Sequence, residues 1–219
     1  MKKTLITIAL ALTGFASFGQ GYFLFTGNPR TAFDTFTTPG TSKGASTMDV
    51  GFLWGSTAAT PLISGILASG TSTNSVASGN GSQFAATAWS DLLSDPNFTV
   101  AVNSGTSATV IVPTAATGNW SYNSAGSFGV TGTAAASYTV IVFAWNGAYA
   151  TPTLAKNAGA AVGWSAPFTY AAVSSIGSAP TMALSGLTAF GVVNPVPEPA
   201  TMALFGLGGL SLLMFRRRS

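Results

Sequence analysis

The run Ser137-Tyr138-Thr139-Val140-Ile141-Val142-Phe143-Ala144-Trp145 decides the fold class. β-Branched and aromatic residues suit an extended, pleated backbone, and residues two apart share one side of a strand. Tyr138, Val140 and Val142 fall on one face, and Thr139, Ile141, Phe143 and Trp145 on the other. Both sets are mostly apolar, which predicts a strand buried on both faces at the centre of a sheet.

On either side of this run, short apolar stretches alternate with Gly, Ser, Thr, Asn and Pro, the punctuation of an all-β domain. Further strands are predicted at 21–26, 48–54, 98–102, 106–112, 128–131, 164–171 and 182–192. The third and fourth of these are joined by Asn103-Ser104-Gly105 and read as a hairpin. One segment departs from the pattern. Residues 84–93 place Phe84, Ala88 and Leu92 on one helical stripe and stop at Ser94-Asp95-Pro96-Asn97, so a single short helix is predicted there. The Gly/Ser/Thr-rich stretches 35–47 and 70–82 have no apolar period and read as exposed loops. The expected architecture is an antiparallel β-sandwich over residues 20–194, with a distorted barrel as the alternative.

Composition bears this out and narrows the function classes. Of 219 residues, 47% are hydrophobic and only 6% charged, the opposite of a disordered chain. There is no Cys, so packing alone must hold the fold, without disulfides or thiolate metal sites. The formal charge of +3 comes from the ends, Lys2 and Lys3 at one and Arg216, Arg217 and Arg218 at the other. Between them stand only Arg30, Lys43 and Lys156, against Asp34, Asp49, Asp91, Asp95 and Glu198. Nucleic acid requires clustered cations, and three scattered ones rule it out as a partner.

Both ends read as targeting segments. Residues 1–19 carry Lys2 and Lys3, an apolar run from Leu5 to Ala16, and the small residues Ser17 and Gly19 ahead of Gln20, the three parts of a cleavable secretory signal. At the other end, residues 195–219 contain Val196-Pro197-Glu198-Pro199-Ala200-Thr201, an apolar stretch to Phe215 and a basic close. The prolines interrupt any helix from upstream. A helix over 200–215 would be about 24 Å long against a hydrocarbon core of about 30 Å, a short transmembrane span. Arg216, Arg217 and Arg218 extend it towards the headgroups and assign that side to the cytoplasm.

In its order, Pro197, Glu198 and Pro199, then a short apolar helix, then a basic cluster, this tail resembles the PEP-CTERM family of bacterial sorting signals. The resemblance is confined to the tail. It implies recognition by an exosortase, a membrane peptidase that cuts near the motif and passes the protein to the cell surface or its extracellular polysaccharide. An unprocessed single-span membrane anchor is the alternative. Thr181 to Leu187 repeats Thr201 to Leu207 almost residue for residue, but without the prolines or the arginines, and its alternation suits a strand of the body.

The inventory of catalytic groups is poor. His is absent from the whole chain and Glu from all of it before Glu198, which removes imidazole-based triads, His or Cys zinc sites and His general acid–base catalysis. A Ser–Lys nucleophile would have to use Lys43 or Lys156, neither set in a recognisable motif. Asp91 and Asp95, with Asn97, could offer oxygens to Ca²⁺, but an Asp near a helix start and another in an Asp-Pro-Asn turn is the favoured reading of them. The expectation is a non-enzymatic protein with no cofactor and no metal. Trp120 and Tyr122, two apart in a Gly/Asn-rich segment, are the candidate pair for stacking on a sugar, and they carry the alternative function, a carbohydrate-binding module.

Overall fold

The computed structural model describes residues 20–27, 32–33, 48–61, 86–115, 118–188 and 190–192. The predicted signal helix, the loops 35–47 and 70–82 and the tail with its transmembrane helix lie outside the described residues. In chain order the elements are β1 (Gln20–Phe23), β2 (Ala32–Phe33), β3 (Met48–Ser56), α1 (Ala86–Leu93), β4 (Thr99–Val100), β5 (Val112–Pro113), β6 (Phe128–Ala134), β7 (Ser137–Asn146), α2 (Pro152–Asn157), β8 (Val162–Trp164), β9 (Phe168–Ala171) and β10 (Phe190–Gly191). Two short 3₁₀ turns, Tyr122–Ala125 and Met182–Ser185, interrupt the loops.

β7 is central. It pairs antiparallel with β3 from Met48 opposite Asn146 to Ser56 opposite Tyr138, and its other edge carries β8 and β9 in succession. β4 and β5 share the outer edge of β3 in the same way. Val140, Val142 and Ala144 face one apolar cluster with Met48, Val50 and Phe52. Ile141, Phe143 and Trp145 face the other with Leu53. One strand thus serves two cores, which is what an apolar run without alternation requires.

The two faces are covered differently. Over the first lie Phe23 and Phe25, Phe128 and Val130, and the late residues Met182, Leu187, Phe190 and Val192; β1 and β6 form a separate antiparallel pair there. Over the second lie Leu92 from α1 and Ala155 from α2. The described chain is therefore mostly antiparallel β, with a second sheet on one side of the central sheet and two short helices on the other. β2 and β10 form the exception in direction, a parallel pair.

Several predicted elements are redrawn by local chemistry. The single strand over 164–171 is two, because Pro167 lacks an N–H for the ladder. In its place Ser165 bridges the gap, its N–H donating to Val142 O at 2.7 Å and its Oγ accepting from Val142 N at 3.0 Å. The strand over 182–192 shrinks to β10. Thr181 caps a turn instead, its Oγ1 accepting from Leu184 N at 3.3 Å, and Gly186 ends it at φ 105° in the left-handed region. The one predicted helix is joined by α2, which starts at Pro152 with Thr151 Oγ1 accepting from Leu154 N at 3.2 Å; the Thr-Pro pair is a cap and first-turn signal that apolar periodicity does not register. The hairpin forms, with Val102 bridging Thr109 and Asn103 O accepting from Ser107 N at 2.7 Å.

Candidate functional site

Three places bear on function: the point where the body hands over to the tail, the Trp120–Tyr122 segment, and a groove between the helices. At the first, Phe190 and Val192 are 3% and 0% exposed. β10 also presses its backbone onto β8, where a Cβ on Gly163 would collide with the Gly191 carbonyl. The body is thus seated in its core up to Val192, immediately ahead of the predicted tail. Pro197, Glu198, Pro199, Arg216, Arg217 and Arg218 themselves lie outside the described residues. Among the described residues no helix is long and apolar enough to cross a membrane.

Trp120 corrects the expectation of an exposed ring. It is 3% exposed, with its ring 5.9 Å from Phe25 and 6.1 Å from Phe190, and its carbonyl accepts from Gly27 N at 3.0 Å and Thr26 Oγ1 at 3.2 Å. Any side chain at Gly27 would strike the indole. Tyr122 is half-buried against Phe128, ring centroids 4.6 Å apart, and its hydroxyl accepts from Asn103 Nδ2 at 3.1 Å. Both rings pack on the same apolar cluster, as spacing by two along extended chain dictates, but that side is the core. Asn123, Ser124 and Ala125 then turn the chain away at φ 52°, 52° and 62°, a left-handed run that costs about 1–2 kcal/mol per residue. The aromatic platform of the carbohydrate-binding reading is not present at this pair.

The acidic residues are spread out. Asp95 is 3% exposed, and its Oδ1 accepts from Asn97 N at 2.9 Å, the Asp-Pro-Asn turn in its ordinary form. Asp91 is exposed in the second half of α1, not near its start. Among the described residues no group of three acidic, His or Cys side chains is placed to hold a metal ion. Asp49, on β3, has its carboxyl raised above the usual range by burial.

The groove was not foreseen. Lys156, in the last turn of α2, reaches α1 and donates from Nζ to Ser90 Oγ at 3.0 Å. Ser90, Leu93, Ser94, Thr153 and Lys156 line a cavity of about 290 Å³ there. Sixty-six positions separate Ser90 from Lys156, and no motif links them, so only the packing of both helices on one sheet face brings them together. A Ser–Lys nucleophile needs this contact and also a donor pair for an oxyanion.

With this geometry in view, the comparison with known families concerns the tail alone. Residues 195–218 match the PEP-CTERM protein-sorting motif. The tail read from Pro197, Glu198, Pro199 and the closing arginines is therefore a sorting signal of that kind, beginning three positions after the buried Val192. No curated protein and no solved structure matches the chain.

Proposed function

We propose that this is an exported surface protein whose body, residues 20–194, is a non-enzymatic β-sandwich-like domain delivered through its PEP-CTERM tail. The observation that carries the reading is the sorting motif at 195–218. In this reading residues 1–19 direct export and are removed, and residues 200–215 hold the chain in the membrane with Arg216, Arg217 and Arg218 on the cytoplasmic side. An exosortase recognises Pro197, Glu198 and Pro199, and the released body joins the cell surface or its extracellular polysaccharide. The buried β10 supports this order of events. A body that is packed to Val192 stays whole when the chain is cut after it, since every described strand of the core lies ahead of the cut.

Intact mass of the surface-exposed protein from its own cells tests the proposal. The wild type should lack both residues 1–19 and Arg216 to Arg218, and the double change Pro197→Ala with Glu198→Ala should accumulate a membrane-bound form that retains the arginines. A wild-type surface form still carrying Arg216 to Arg218 would overturn sorting and leave the unprocessed anchor.

A further inference from the structure

Lys156 is the only cationic side chain among the described residues, and it is half-buried where α2 meets α1. Its ammonium reaches from α2 to α1 and is held by Ser90 Oγ at 3.0 Å. Ser94 and Thr153 bring two more hydroxyls to the same cavity and Leu93 an apolar wall. Ser94 is already oriented, its Oγ donating to Ser90 O at 2.8 Å, which leaves its lone pairs to accept.

We propose that this groove binds one acidic sugar residue, a hexuronate, of an extracellular polysaccharide. One ammonium matches one carboxylate in charge; a phosphate dianion would leave a charge without a partner. The hydroxyls of Ser94 and Thr153 suit ring hydroxyls, and Leu93 suits the C–H face of a pyranose. A volume of about 290 Å³ is at the small end of ligand cavities, the size for one ring and not for a long chain segment. The biological meaning rests on the proposed placement of the body at a polysaccharide-bearing surface, whereas the binding itself does not.

Titration calorimetry on the full chain in detergent, with a trigalacturonate as probe and maltotriose as its neutral counterpart, tests the groove independently of tail processing. The acidic trimer should bind with millimolar affinity that weakens about tenfold between low and 0.5 M salt, because the contact is an exposed charge pair, and maltotriose should give no heat. Lys156→Met should reduce the affinity for the acidic trimer at least tenfold. Thr153→Val, which leaves the Lys156–Ser90 contact in place, should reduce it several-fold and guards against a trivial loosening of α2 in the first variant. Equal binding of the two trimers, no binding of the acidic one at 20 mM, or unchanged affinity in both variants would overturn the proposal.

Discussion

Replacement of Tyr170 by Phe tests the central claim about the fold, that the late segment after β9 is tied into the first core. Tyr170 is 0% exposed and stacks on Phe23 with centroids 4.8 Å apart and planes 11° apart. Its hydroxyl accepts from Leu24 N at 2.9 Å and donates to Pro180 O at 2.8 Å. It therefore links β9 to both the first strand and the segment that leads to β10. Phe keeps the stacked ring and deletes only the oxygen. An unpaired buried donor or acceptor costs about 1–3 kcal/mol. Leu24 and Pro180 are both half-buried, so water relieves part of that, and the net loss should be about 2 kcal/mol. For a body of this size that is a fall of about 4–8 °C in Tm.

The same residue has an alkaline signature. Burial pushes the Tyr170 hydroxyl up to about 12, opposed by the hydrogen bond from Leu24, against an ordinary 10.0. The folded protein therefore keeps this proton while the unfolded chain loses it, so stability should fall as pH rises from about 10 towards 12. Tyr170→Phe should lose that portion of the fall. Melting followed by near-ultraviolet circular dichroism, at neutral pH and in steps up to pH 11, reads both effects on the full chain in detergent. A Tm within 1 °C of wild type at neutral pH, with an unchanged alkaline profile, would refute the tie.

Two further substitutions address a charge and a backbone contact. The raised carboxyl of Asp49 means that the folded state holds a proton just above the usual carboxylate pKa, where the unfolded chain has released it. Stability is thus greater below that window and declines as pH rises through it. Asp49→Asn should flatten this dependence and raise Tm at neutral pH by about 1–2 °C, and a lower Tm for the variant would show that the carboxylate has a favourable partner. Gly163→Ala would drive a methyl into the Gly191 carbonyl and should cost about 1–3 kcal/mol. Because the strain falls on β10, limited proteolysis should cut near residue 190 before the rest of the body opens; cleavage in the same order as wild type would show that β10 is not the element displaced.

What the sequence determined by itself was whatever depends on near neighbours or on order along the chain. The run at 137–145 had to be a strand with two apolar faces, and only a central position buries both. The hairpin at Asn103 and the helix ending at Asp95-Pro96 follow from turn residues within a few positions. The tail, read from Pro197, Glu198 and Pro199, an apolar stretch and three arginines, was legible because a sorting signal is recognised as a linear string.

The tertiary structure decided everything that depends on which side of a segment meets the core. Spacing by two correctly put Trp120 and Tyr122 on one side, but nothing local says whether that side is water or the layer of Phe25, Phe128 and Phe190. The alternation over 182–192 reads as a strand until the Thr181 cap and Gly186 claim the backbone first. The Ser90–Lys156 groove had no signature at all, since its residues come from two helices far apart in sequence that meet on one sheet face. Periodicity sets the side on which a residue lies; long-range packing sets what lies there.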